Sequence, residues 1–246
     1  MFYGRFKDQS DHDFFRGALE RFATLFHDVF AADNVILFER SLAFLNDKKF
    51  SQACEKNARN DQERSLVLRL NTLVWAALEA LRVPGDFVEC GVWRGFCSAV
   101  IADYLDFERV PKKFYLYDTF DGIPPQYDSE GHDAPDFHEA GLYESVVGRF
   151  ARFPNVQVVR GIVPDSFAQA APEKIAFLHL DLNSSKGEIA ALDVLFDRVS
   201  PGGLVVFDDY GWSGYQAQQV AEDAFMRQRG HRILELPTGQ GLLIKH

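Results

Sequence analysis

Apolar positions recur at spacings of three and four through the first part of the chain. Phe15, Leu19, Phe22, Phe26 and Phe30 mark one face of an amphipathic helix. Val35, Leu37, Phe38, Leu42 and Leu45 predict a second helix over 34–45. Residues 48–59 are polar and read as a linker. Asp61 is placed to cap a third helix, with Leu66, Leu70, Leu73, Val74, Ala77 and Leu81 as its apolar positions and Pro84-Gly85 as its end.

From Phe87 the pattern changes to short apolar runs alternating with helical periodicity. Strands are predicted at 87–91, 113–118, 156–160, 175–181 and 203–208, and helices at about 95–105, 141–152, 186–198 and 213–229. This alternation predicts an α/β fold with a parallel sheet covered on both faces. The last part differs: 231–236 and 242–245 are two short strands around Pro237-Thr238-Gly239-Gln240-Gly241, a hairpin whose final strand runs antiparallel. The organisation read from this is a helical N-terminal extension over 1–84 and an α/β core over 85–246. Residues 121–140, rich in Asp, Gly and Pro with two His, read as a long mobile loop of the kind that carries function.

Composition narrows the classes. The 246 residues are 47% hydrophobic and 25% charged, ordinary for a globular chain. A formal net charge of −10 offers nothing to nucleic acid or to an anionic membrane, which need clustered Lys and Arg. No apolar run approaches the ~20 residues of a membrane span, and the first eight residues lack the apolar core of a signal peptide. Cys54, Cys90 and Cys97 are too scattered for a disulfide framework or a zinc cluster. A reduced, cytoplasmic protein is the resulting expectation. Phe, at 23 residues, points to large aromatic packing surfaces, and the Phe-rich extension could supply a homodimer surface.

The stretch Gly85-Asp86-Phe87-Val88-Glu89-Cys90-Gly91-Val92-Trp93-Arg94-Gly95 carries the most chemistry. A strand running into a glycine turn and then a helix presents bare backbone N–H groups to a ligand. A dinucleotide site requires G-x-G-x-x-G, whose second Gly lets the backbone touch a pyrophosphate. Here that position is Trp93, and the strand also carries Glu89, which repels phosphate. A carboxylate ahead of the turn suits a cationic ligand, and S-adenosylmethionine (SAM), with a sulfonium and no phosphate, is one.

In an open α/β sheet, ligands bind outside the carboxyl ends of the strands. Those ends hold Glu89 to Gly91, Asp118, Gly161, Asp181 to Asn183, and Asp208-Asp209-Tyr210, with the hairpin turn on the same edge. Asp118 is placed either to accept the ribose hydroxyls of an adenosine or to bind its own turn ahead of Gly122. Asp181, Asp208 and Asp209, if their strands are neighbours, stand about 5 Å apart and repel each other unless a cation sits among them. Hard oxygen ligands suit Mg²⁺. The alternative is that one Asp caps a helix and another faces solvent. His132 and His138 in the loop are candidate general bases or plain surface residues. His179 alternates with Asp181 and reads as a packed, hydrogen-bonded His. Tyr210, Trp212 and Tyr215 could wall a substrate pocket or pack in the core.

Gly85 to Gly95, Tyr117-Asp118-Thr119-Phe120-Asp121-Gly122, and Ser200 to Gly203 through Asp208-Asp209-Tyr210-Gly211 together resemble the macrocin O-methyltransferase family, class I SAM-dependent enzymes that methylate sugar hydroxyls on macrolides and related molecules. The resemblance covers about residues 85–246. It implies a Rossmann-like, seven-stranded, mostly parallel sheet. It also implies SAM at the first turn, held by Glu89, Cys90, Gly91, Val92, Trp93, Gly95, Asp118 and Gly161. Mg²⁺ would sit on Asp181, Asp208 and Asp209, and a loop His would act as base. In the macrolide-tailoring members the fourth strand is followed by Asp-x-Asp, an aromatic and Glu-Ser. Here the stretch is Asp181-Leu182-Asn183-Ser184-Ser185-Lys186-Gly187, so the second acid is Asn183 and the aromatic is lost. The expectation is a Mg²⁺-assisted O-methyltransferase acting on a sugar or polyol. A catechol-type metal-dependent methyltransferase, a nicotinamide-dependent oxidoreductase and a non-catalytic SAM-fold binding protein are the alternatives.

Overall fold

The computed structural model describes residues 7–246. Residues 1–6, part of the segment read above as lacking a signal peptide, lie outside the described residues. Among the described residues no helix is long and apolar enough to cross a membrane. The chain divides into two compact units, 1–71 and 72–246.

The first unit departs most from the periodicity. Helix α1 (Gln9–Leu25) carries Phe15, Leu19 and Phe22 as expected, with Asp8 accepting from the Asp11 N–H at its N-cap, but it ends before Phe26, and Phe30 lies in a strand. The helix expected over 34–45 is instead a β-hairpin of β1 (Val29–Ala32) and β2 (Val35–Phe38). Its two turn residues, Asp33 and Asn34, both lie at positive φ (52° and 57°), the conformation of a tight hairpin turn. The Phe22 and Phe26 rings close on Phe38 at 6.0 and 4.8 Å between centroids. The turn carboxylate of Asp33 is buried and accepts from both the backbone N–H and the Nε of Arg69. The polar stretch read as a linker is helix α2 (Lys48–Asn57), capped by Asp47, with Phe50, Ala53 and Cys54 as a narrow buried stripe. Three apolar residues at spacing i, i+3, i+4 thus suffice for a helix. The third predicted helix begins as expected but is capped by Asn60 and breaks at Ser65, giving α3 (Asp61–Arg64) and α4 (Val67–Ala80).

The second unit is the sheet. Strands β3 (Asp86–Cys90), β4 (Phe114–Asp118), β5 (Val156–Arg160), β6 (Ile175–Leu180) and β7 (Val199–Phe207) are parallel. The hairpin of β8 (Leu234–Glu235) and β9 (Gly241–Ile244) inserts β9 antiparallel against β7. The order is β5-β4-β3-β6-β7-β9-β8, seven strands, as the sequence implied. Helices α5 (Phe96–Leu105), α6 (Leu142–Phe150), α7 (Ser185–Leu195) and α8 (Gln216–Gln228) follow the strands as expected. Strand order reverses between β3 and β6, so their carboxyl ends form the topological switch point where such sheets bind ligands.

Register sorts the side chains. Phe87 pairs with Phe114 and Phe177, and Glu89 with His179. Because side chains alternate along a strand, Phe87 and Glu89 share one face with Phe177, His179 and Asp181. Phe87 is fully buried against Phe107, Phe114 and Phe177, with centroids 5.3 to 5.7 Å apart. Phe87→Ala leaves a void that these rings cannot refill. It should lower unfolding free energy by about 3–5 kcal/mol in urea titrations, and a loss below about 1 kcal/mol would mean that the cluster repacks.

Candidate active site

The glycine turn is held by one carboxylate. Asp118 Oδ2 accepts from the backbone N–H groups of Val92 (2.7 Å) and Trp93 (2.8 Å), and Oδ1 accepts from Phe120 N–H (2.6 Å) and, at 3.4 Å, from Thr119 Oγ1. Trp93 and Phe120 sit at φ 45° and 53°, a left-handed conformation that costs a bulky residue energy. Charge-assisted bonds to Asp118 offset that cost. The turn-binding role of Asp118 is therefore present here, and Asp118 also lines a cavity.

That cavity is open to solvent, with about 740 Å³ of space between its walls and at its mouth. Gly91, Trp93, Asp118, Gly161 and Asp181 stand on its wall, with Tyr117, Phe137, Ile162 and Val163 supplying apolar surface. Its charged lining is Asp118 and Asp181, with no Lys or Arg among the described residues. An apolar slot lined by carboxylates, with the Val92 and Trp93 N–H groups already taken by Asp118, fits an adenosyl cation better than a pyrophosphate. Gly91 is needed for another reason: at φ 87° a Cβ there would collide with the backbone carbonyl of Asp181.

Other predicted donor-site residues stand apart from the cavity. Cys90 is buried on the opposite face, where burial pushes its thiol well up. The Val92 side chain is buried, and Gly95 turns under the Phe150 ring at the start of α5. Glu89 points into the protein, not the cavity: Oε1 accepts from His179 Nδ1 at 2.8 Å and Oε2 accepts from Ser98 Oγ. Burial raises the Glu89 carboxyl, while its bond to His179 pulls it back. His179 Nε2 faces Asp208 Oδ1 at 3.5 Å, too long for a formed hydrogen bond but within ion-pair range. Burial alone would depress the imidazolium, but Asp208 and Glu89 outweigh it and lift His179 to about 10. The expected packed, hydrogen-bonded His is found, and its two acidic neighbours favour its protonated form.

At the acid-lined end, β6 and β7 are neighbours as required, with Leu180 beside Phe207. One ligand atom each of His179, Asp181 and Asp208 lies within 4.8 Å of the others, so the structure groups the first two predicted metal acids with His179 instead of Asp209. Asp208 Oδ1 also accepts from Gln240 Nε2 at 2.9 Å, which puts the hairpin turn on this edge as expected. Two carboxylates from adjacent strand ends form a donor set that fits a hard divalent cation.

The two loop histidines separate. His138 bonds Asp133 Oδ2 through Nε2 (2.7 Å) and Asp121 Oδ1 through Nδ1 (3.3 Å). The two carboxylates favour the protonated ring and raise the His138 pKa. His132 instead stands beside Asn183, with Nδ1 3.1 Å from its backbone oxygen. Segment 121–140 is irregular apart from a short 3-10 turn at Pro135–His138. Trp93 Nε1 donates to Asp136 O and Arg94 Nε to Glu139, so the distinctive Trp-Arg pair clasps this segment beside the cavity. Of the three aromatics after Asp209, Tyr210 turns to Asp223 and Trp212 to the hairpin turn, while Tyr215 reaches Asn183.

Sequence reading missed Glu188 and Glu222, fully buried on α7 and α8. Glu188 Oε1 accepts from the Leu182 N–H, just after Asp181. Their signal was an acid at an apolar helical position in each helix.

A parallel switch-point sheet closed by an antiparallel hairpin, with a glycine turn facing paired acids, defines an α/β methyltransferase. CalS11, a calicheamicin methyltransferase of known structure, has this fold at TM-score 0.62 and 18% identity, covering 96% of this chain and 93% of that one. The chain belongs to the macrocin-O-methyltransferase (TylF) family, whose model matches residues 67–234, and it is thus a SAM-dependent O-methyltransferase. It is 30% identical over 184 residues to the 8-demethyl-8-(2,3-dimethoxy-alpha-L-rhamnosyl)-tetracenomycin-C 4'-O-methyltransferase of Streptomyces olivaceus, covering 67% of each. It is also 30% identical over 164 residues to the mycinamicin III 3''-O-methyltransferase of Micromonospora griseorubida, covering 58% of this chain and 62% of that one. The match thus spans less than two thirds of the latter's length.

Burial lifts the Glu222 carboxyl to about 7, partly countered by the neighbouring Glu188 carboxyl. A folded-state pKa above the ordinary 4.5 contributes stability that is present below pH 4.5 and lost as pH rises through about 7. The loss is about 3 kcal/mol. Glu222→Gln should flatten this decline in urea titrations between pH 5 and pH 8. An unchanged slope would assign it to other groups.

Proposed function

We propose that this methyltransferase acts on a hydroxyl of a sugar, free or carried on a small molecule, and that Mg²⁺ assists it. The observation that carries this reading is the placement of Gly91 against Asp181, which sets a donor cavity and an acid-lined acceptor end side by side. The acceptor class follows the printed activities of the relatives, one acting at a rhamnosyl-bearing tetracenomycin and one on mycinamicin III.

The core over 85–246 would divide the work as follows. The turn from Gly91 to Trp93, with Gly161, would seat SAM. Asp118 would accept a ribose hydroxyl alongside the backbone groups it already holds, the long Thr119 contact giving way. Asp181 and Asp208, with Asp209 adjoining, would hold Mg²⁺, which when bound lowers the pKa of a coordinated hydroxyl. His132 would take the hydroxyl proton as the oxygen forms its bond to the methyl carbon and the carbon–sulfur bond breaks, leaving S-adenosylhomocysteine. Fixing nucleophile and methyl in line is worth up to roughly 7–11 kcal/mol. Glu89 acts beneath the site, through His179, instead of touching SAM.

S-adenosylhomocysteine at 100 times its Kd should stabilise the chain by about 2.7 kcal/mol, read as a rise in the thermal midpoint. No rise, or an equal rise with NAD, defeats the donor assignment. Asp181→Asn should weaken Mg²⁺ binding at least tenfold by calorimetry while leaving the nucleoside shift in place. Undiminished binding would remove Asp181 from the metal site. Methylation of catechols in preference to glycosides would replace the acceptor class.

A further inference from the structure

The stretch where this chain departs from the macrolide-tailoring pattern, Asn183-Ser184-Ser185, is where the His132 segment docks. Ser184 Oγ donates to Tyr127 O at 2.6 Å while capping α7 through the Gly187 N–H, and Ser185 Oγ donates to Glu130. Asp128 accepts from the His132 N–H at 2.7 Å and from the Asp133 N–H at 3.2 Å. The His132 ring then lies on the Tyr215 ring, 4.2 Å between centroids. Asn183 stands at the middle of this arrangement, at φ 54°, a left-handed conformation that Asn tolerates better than most residues.

We propose that Asn183 is a positioning residue for both sides of the acceptor end. Its backbone carbonyl holds His132 as the Nδ1–H tautomer, and its side-chain amide, turned by Tyr215, holds the Asp181 carboxylate. This rests on the reading of His132 as base and Asp181 as an acceptor-side acid.

The donor and acceptor roles follow by elimination. The Asn183 carbonyl can only accept, so the contact from His132 Nδ1 requires a proton there. In the neutral ring the lone pair is then on Nε2, the arrangement a general base needs. On the other side, Asp181 Oδ1 lies 3.3 Å from Asn183 Nδ2. A carboxylate only accepts, so the NH₂ end faces Asp181 and Oδ1 faces Tyr215, whose hydroxyl donates to it at 2.7 Å. The chain Tyr215 → Asn183 → Asp181 therefore has one direction. An acid at 183 would set a second carboxylate against Asp181, and the amide replaces that repulsion with a bond.

The test needs no acceptor. In full-length chain labelled uniformly with ¹⁵N, long-range proton–nitrogen correlation at pH 8 should show a ring protonated on Nδ1 that disappears in His132→Gln. It should persist in Asn183→Gly, which keeps the carbonyl and the left-handed backbone. The Asn183 side-chain amide signal, identified by its loss in Asn183→Gly (or in Asn183→Asp should the glycine variant not fold), should shift in Tyr215→Phe while the thermal midpoint moves little. A His132 ring protonated on Nε2 alone overturns the tautomer, and an amide signal unmoved by Tyr215→Phe overturns the relay. S-adenosylhomocysteine shifts on the same samples keep the two readings apart. No shift with the predicted tautomer present defeats the methyltransferase role of the site and leaves the positioning geometry standing. A shift with the wrong tautomer defeats the proposal alone.

Discussion

A buried histidine inside the sheet, held between two acids from neighbouring strands, is the constraint on which the rest of this site depends. Glu89 on β3, His179 on β6 and Asp208 just beyond β7 are each at most 2% exposed. Taking such groups out of water is costly unless each finds a partner. The partners are on different strands, so the register of three strands becomes a condition of charge balance. A slip of one residue would turn every side chain to the other face and strand all three groups. The same register brings Asp181 to Asp208 at the sheet edge, since Asp181 lies two residues beyond His179 and Leu180 pairs with Phe207, the residue before Asp208.

Asp118 works in a similar way on the donor side. It gathers two residues, Trp93 and Phe120, whose backbone conformations their own side chains disfavour, and so shapes the turn and the start of the 121–140 segment with one carboxylate. The Trp93-Arg94 pair then grips that segment further along at Asp136 and Glu139. Donor turn and loop are linked through two neighbouring residues of the same motif.

The sheet was legible because buried parallel strands are nearly continuous apolar runs, and all five, with the hairpin, lie where those runs fall. The β1–β2 hairpin was not, since its Val-Ile-Leu-Phe run also fits a helical face; the Asp33-Asn34 pair was the discriminating signal. Helix α2 hid behind polar residues because only a narrow stripe of it is buried. In the site, strand ends correctly brought Asp181 near Asp208, and the bulk of Trp93 and the amide at Asn183 were both visible. What a linear pattern does not carry is which residues face each other across strands. Glu89 looked like a ligand contact because its partner His179 lies 90 positions away. His132 and His138 looked equivalent until the loop's bonds distinguished them.

The contact of Gly91 with the Asp181 backbone has a consequence for how this enzyme could diversify. With no room for even one carbon between the two strand ends, the turn after β3 and the chain after β6 cannot shift independently of each other. Variation in what the cavity accommodates is therefore left to the stretch from Asn183 onward and to the segment docked on it.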